Sequence, residues 1–323
     1  MKLKKVILIT IAILIIMVLS FAIFKSGDDN KRRDTNKIQV VATNFTSYDF
    51  LRAIIGDNKD VELTFLLGPG KDAHSYEPTP QDLITIQNSD LFVYIGGEAE
   101  KWTDKVIDSM DNLDSKVVCI SDEVEKKEEQ EIDGAEEEDE EEEEEGAFDE
   151  HIWTSPSNAI KMINALEQAM EEIDNTNSSL YKENAEKYIA EVKEVDNKIQ
   201  NVVDNRVRDR LVFADKMPMQ YFIDYYDLEV SAAFSGCSTE TEPSASTIAY
   251  LEKKVKEEQI PVILYIELNN GRVAKTIADE VGDFCQAMQI QTLHNVSLDD
   301  FKAKETWVSL MTRNIEVLQK ALQ

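Results

Sequence analysis

The chain has 323 residues, enough for a sizeable core and for two lobes. Its formal net charge of −30 argues against nucleic acid as a partner. Of that charge, −17 falls within residues 122–150, which leaves −13 for an otherwise ordinary acidic globular protein.

In chain order, Lys2, Lys4 and Lys5 come first, followed by an apolar run of 19 residues from Val6 to Phe24. A basic start followed by such a run describes an export signal, and the run is long enough to span a bilayer. Positive charge on the short side puts that side in the cytoplasm and everything after it outside. No Ala-x-Ala cleavage site follows the run, and no cysteine stands nearby to accept a lipid. Residues 6–24 are therefore read as a retained anchor in the cell membrane. Residues 25–36 are a polar tether, so residues 1–36 form a unit of their own.

From Ile38 the pattern alternates between strand and helix. Strands are expected at residues 38–43, 61–66, 91–95 and 116–120. Helices are expected at 47–55, at 79–88 with Pro80 in the first turn, and at 102–110. Residues 122–150 carry no apolar periodicity and are read as a solvated, disordered loop. That loop is either a plain linker or a loose collector of cations.

A helix is expected at 157–173, then a long polar helix at 178–204. Tyr181, Ala185, Tyr188, Ile189, Val192, Val195 and Ile199 fall on one stripe of it, with neither Gly nor Pro inside. A second half follows, with strands at 210–214, 229–234, 262–266 and 290–293. Its helices are expected at 219–226, 247–258, 274–281 and 305–322.

The fold class is therefore α/β. Two similar lobes, each a mostly parallel sheet flanked by helices, are joined by one long rigid helix, with a site in the cleft between them. The expected divisions are 37–175 for the first lobe with its acidic loop, 176–207 for the linking helix and 208–323 for the second lobe. The expected state is a monomer.

Three cysteines, Cys119, Cys237 and Cys285, lack any CxxC spacing. They are neither a disulfide framework nor a zinc cluster, and read as small buried thiols. The chain holds only three histidines, His74, His151 and His294. His74 follows a Gly-Pro-Gly turn after a strand, His294 follows the expected strand at 290–293, and His151 precedes a helix. Ligands in open α/β sheets bind beyond the carboxyl ends of strands, so two lobes can aim all three loops into one cleft. Three imidazoles suit a divalent transition metal. The alternative is three unrelated surface or core histidines.

The segment Gly68-Pro69-Gly70-Lys71-Asp72-Ala73-His74-Ser75-Tyr76-Glu77-Pro78-Thr79-Pro80 resembles the first metal-ligand signature of the zinc and manganese substrate-binding proteins of ABC importers. Asp149-Glu150-His151-Ile152-Trp153-Thr154-Ser155-Pro156 is similar to that family's second-ligand motif. Tyr225-Tyr226-Asp227-Leu228, Glu242-Pro243-Ser244 and residues 305–311 also look like family landmarks, so the resemblance runs from about residue 38 to 323.

One departure stands out. Where the family places a third ligand, a His or Glu, this chain reads Val212-Phe213-Ala214-Asp215. Asp215 is the nearest oxygen donor there, and it can serve instead as a helix N-cap. The resemblance implies a fourth, carboxylate ligand before the last helix, and His294 falls at about that place. Glu240, Glu242, Glu267 and Cys237 are further candidate donors, against capping, hinge contacts or solvation. Trp153 is read as packing for the His151 loop.

The resemblance implies extracytoplasmic capture of zinc, with manganese as the alternative, and delivery to an ABC permease and its ATPase. The rival is a surface adhesin or metal buffer of the same fold with no dedicated transporter. HExxH, GxSxG and P-loop motifs are absent, so the chain is read as a binding protein and not an enzyme.

Overall fold

The computed structural model describes residues 37–110, 115–135, 148–236 and 242–323. The expected anchor at 6–24, the tether, Cys237 and Glu240 lie outside the described residues. Among the described residues, no helix is long and apolar enough to cross a membrane.

The first sheet is built from β1 (Ile38–Ala42), β2 (Val61–Phe65), β3 (Leu91–Tyr94) and β4 (Lys116–Cys119). Its order is β2-β1-β3-β4, and every pair is parallel. The second sheet repeats that order with β5 (Arg210–Lys216), β6 (Glu229–Phe234), β7 (Val262–Ile266) and β8 (Gln286–Ile290), as β6-β5-β7-β8, again all parallel. Parallel neighbours require crossovers, which helices supply on the sheet faces. In the first half these include α1 (Phe45–Ile55), α2 (Pro80–Gln87) and α3 (Trp102–Asp108).

Local chemistry sets the ends. Asn44 caps α1 by accepting from Ser47 N, and Thr79 with Asp82 forms a reciprocal capping box on α2, with Pro80 in its first turn. The helix α4 (Pro156–Ile173) leads to α5 (Ser178–Asp204), 27 residues long, whose buried stripe includes Tyr181, Tyr188, Val192, Val195 and Ile199. The second half carries α6 (Gln220–Tyr225), α7 (Ala245–Glu257), α8 (Arg272–Val281), α9 (Leu298–Lys302) and α10 (Trp307–Leu322).

One apolar core runs through both halves. It joins Phe50 and Ile54 of α1, Met162 of α4, Tyr188 and Val192 of α5, Phe213 of β5, Phe222 of α6 and Trp307 and Met311 of α10. A second cluster covers the outer face of the second sheet and a third that of the first. Asp49 of α1 lies wholly buried in the shared core. It accepts from Tyr188 Oη at 2.6 Å and Trp307 N at 2.7 Å and pairs with Arg52. Arg52 in turn donates to Glu305 O at 2.7 Å.

Two expectations are corrected. The last strand is Gln286–Ile290, not 290–293. As the edge of its sheet it leaves Gln286 and Gln289 exposed, which weakens its apolar signal. The buried residues 291–293 are loop, so His294 stands four residues beyond the strand.

The described part of the acidic segment is also not a free solvated loop. Residues 124–135 cross onto the second half. Lys127 N donates to Tyr221 Oη at 3.0 Å, Gln130 N to Gln220 Oε1 at 3.2 Å, and Gln220 Nε2 to Glu128 O at 2.8 Å. Asp133 bridges to Ser231 on the edge strand β6 and pairs with Lys254 at 2.9 Å. Gly134 takes φ 89°, and a Cβ there would lie 2.1 Å from the Tyr250 ring. Ile132 packs on the shared core. Charge count alone hid this docking, because the contacts that make it, to Gln220, Tyr221, Ser231 and Lys254, are with residues far away in sequence.

Candidate metal centre

The three histidines meet at the carboxyl ends of the strands. His74 lies between β2 and α2, and His294 between β8 and α9. His151 caps a single 3-10 turn, Ile152–Thr154, that leads into α4. One ligand atom from each lies within 4.8 Å of the other two. The His74 and His294 rings stack with centroids 5.2 Å apart, and His151 and His294 are also 5.2 Å apart.

Each imidazole is held by its own loop. Asp72 Oδ1 accepts from His74 N at 2.9 Å, and Asp149 Oδ1 accepts from His151 N at 2.7 Å. Both are Asp-x-His turns in which an aspartate binds the peptide N–H two residues on. His294 N is bound by Glu267 Oε1 at 2.9 Å and by Thr292 Oγ1, again two residues back, at 3.4 Å. The Asp-x-His repeat is a signal that the sequence offered for Asp72 and Asp149, and it was missed.

Asp149 Oδ1 also faces His151 Nδ1 at 3.0 Å, deep in the protein with both groups 1% exposed. A carboxylate there favours the Nδ1–H tautomer and leaves Nε2 for a metal. His151 Nε2 faces His294 Nδ1 at 3.0 Å. One proton can bridge those nitrogens, and a metal ion bound at His151 Nε2 would displace it.

Among the described residues, the buried Nε2 atoms of His74 and His294 have no hydrogen-bond partner. A buried nitrogen left unpaired costs about 1–3 kcal/mol, and a metal ligand bond removes that cost. Asp72 Oδ1 lies 3.8 Å from His294 Nε2.

The protonation states favour a cation. Burial, followed by the neighbouring His294 and His151, lowers the His74 pKa to about 3. Burial also lowers that of His294. At His151 burial pulls the same way, yet the Asp149 charge and hydrogen bond offset it and the pKa rises. The contact with His294 holds the Asp72 carboxyl well below the usual range. The site thus holds His74 and His294 toward the neutral form beside an anionic Asp72 carboxylate.

Among the described residues, the other expected donors, Asp215, Glu242 and Glu267, are not part of this converging group. Asp215 is in β5, where Oδ1 accepts from Lys216 N at 2.9 Å and Oδ2 from Ile266 N at 3.3 Å. It ties strand ends together and caps no helix. Glu242 is exposed and paired with Arg272. Glu267 is buried and faces the His294 loop. Trp153 is buried, edge-on to His151 with ring centroids 5.3 Å apart, and its Nε1 donates to Thr292 O at 2.9 Å. Trp307 Nε1 donates to Trp153 O at 3.0 Å. This pair of tryptophans links the His151 loop to the second half.

Comparison with known proteins gives the family. The family model described as "Zinc-uptake complex component A periplasmic" matches residues 40–321. The chain is 30% identical over 287 residues to the high-affinity zinc uptake system protein ZnuA of Bacillus subtilis, over 89% of this chain and 88% of that protein. It is 26% identical over 299 residues to the zinc-binding lipoprotein AdcA of Streptococcus pneumoniae strain R6, over 93% of this chain. It spans only 58% of that relative. The Zn(II)-bound ZnuA-like domain of Streptococcus pneumoniae AdcA has the same fold, with a TM-score of 0.73 at 26% identity, over 88% of this chain and 99% of that domain. With two like-ordered parallel sheets, a long joining helix and this match over nearly all the described residues, the chain belongs to the zinc-uptake complex component A family.

Proposed function

We propose that the protein captures one zinc ion between its halves, with His74, His151 and His294 as ligands, and hands it to an ABC permease with its ATPase. The observation that carries this reading is the convergence of three imidazoles within 4.8 Å, two of them with buried, unpartnered nitrogens. Imidazole ligands favour zinc, whereas a carboxylate-rich site would favour manganese. Asp215 stays a structural tie, because backbone N–H groups hold both of its oxygens.

The protein acts as a monomer, held outside the cell membrane by residues 6–24. Zinc is cargo here, to be held and handed over. The shared core resists wide opening, so release proceeds through movement of the ligand loops when the permease docks.

The test is metal content. Expressed with zinc and manganese both in the medium, the purified protein is expected to carry about one equivalent of zinc by mass spectrometry. Manganese, or no metal, would overturn the reading. A strain lacking the protein is expected to need added zinc, and the wild-type chain but not His74→Ala restores growth.

Acid should weaken binding in a specific way. Zinc takes neutral imidazole, so affinity is full above the pKa of a ligand histidine and falls as pH drops through it. His74, at about 3, stays neutral between pH 7 and 5, and burial also favours the neutral form of His294. His151, raised, takes up the competing proton. Calorimetry should show affinity falling as the pH drops through the raised His151 pKa, by no more than about tenfold per pH unit, one proton for each zinc. A slope of two or three decades per unit would contradict the assignment.

A further inference from the structure

Glu267 directly follows β7, and its buried carboxylate makes three acceptor bonds to one loop. Oε2 accepts from Thr292 N at 2.7 Å. Oε1 accepts from Thr292 Oγ1 at 2.8 Å and from His294 N at 2.9 Å. Between those two residues, Leu293 takes φ 59°, a left-handed conformation that a residue with a Cβ holds only when its surroundings enforce it.

The same loop is gripped from the other side, where Trp153 Nε1 donates to Thr292 O. A carboxylate suits this position because every neighbour it faces is a donor. An amide would turn its NH₂ against one of those N–H groups.

We infer that Glu267 is a positioning residue of the metal site, which sets the backbone from Thr292 to His294 so that the His294 imidazole meets His74 and His151. This rests on the zinc reading above. Glu267 is not itself a ligand, since both of its oxygens are committed to the loop and it lies outside the group of converging donors.

The test uses the full chain with zinc alone as the probe. Affinity is read by competition with a chromophoric chelator, and ligand geometry by the visible absorption of the cobalt(II) form. Loss of an orienting partner costs about 10–100-fold in metal affinity, and that is the loss expected for Glu267→Ala, with a smaller one for Glu267→Gln. The cobalt spectrum of Glu267→Ala should move toward that of His294→Ala.

The double variant Glu267→Ala/His294→Ala should bind zinc no more weakly than His294→Ala alone, because Glu267 acts through His294. Wild-type affinity in Glu267→Ala would overturn the inference. A double variant much weaker than His294→Ala would also overturn it, and would make Glu267 a ligand or a general scaffold residue.

Where circular dichroism shows Glu267→Ala unfolded, Glu267→Gln and Thr292→Val take its place. Weakened zinc binding in both folded proteins is expected, and wild-type affinity in both would overturn the inference. If His294→Ala itself binds zinc normally, the fault lies in the metal reading. If His294→Ala is weak and Glu267→Ala is not, only the role of Glu267 fails.

Discussion

Alanine at His74, His151 or His294 is expected to lower zinc affinity by about a hundredfold or more, measured by chelator competition. The size follows from comparison with outer partners, whose loss alone costs about 10–100-fold. Each variant removes one of only three converging donors among the described residues. His294→Ala is the most informative, because His294 stands where the related pattern offers a carboxylate. Unchanged affinity in that variant would show that the imidazole is not a ligand.

His151→Ala has a second consequence. It leaves the buried Asp149 carboxylate without its Nδ1 partner, so this variant should also unfold at lower urea. His74→Ala should not share that effect, since His74 Nε2 has no hydrogen-bond partner to abandon.

Asp49→Ala is expected to cost about 3–5 kcal/mol in stability, read as a lower urea midpoint. Asp49 is fully buried and joins three elements: Arg52 on its own helix, Tyr188 on the long helix and Trp307 at the start of the last helix. Removing the carboxylate takes an acceptor from a guanidinium, a phenol hydroxyl and a peptide N–H at once. Asp49→Asn keeps the shape and one acceptor oxygen, so its loss should be smaller. Zinc stoichiometry should survive in both, because Asp49 does not touch the three histidines. A loss under about 1 kcal/mol for Asp49→Ala would show that Arg52 and Tyr188 find other partners.

Much of the architecture was legible because it depends on local patterns. Strand–helix alternation identified two parallel sheets, and the unbroken stripe from Tyr181 to Ile199 marked the joining helix. His74 and His151 stood out through their short surrounding motifs. The rest depends on pairs distant in sequence. Glu267 reaches Thr292 and His294, and Asp49 reaches Tyr188 and Trp307. No periodicity connects such residues.

The docked stretch from 124 to 135 was hidden by its own composition. Its lysines, glutamates, single glutamine and single aspartate resemble a solvated linker until Tyr221, Gln220 and Lys254 are in place. Asp215 shows the converse. Its position beside a missing imidazole suggested a ligand, while the structure uses it to tie β5 to β7.

The two sheets share one strand order, which suggests a module used twice. The common core argues that neither half is a module now. Trp307 and Met311 of the second half lie in the same apolar mass as Phe50 and Met162 of the first, and the long helix supplies its middle. A half cut free at that helix would expose the face it normally hides, and independent folding needs a core of its own. The two sheets are therefore one folding unit, and a chain divided at the long helix would leave each half with part of the shared core exposed.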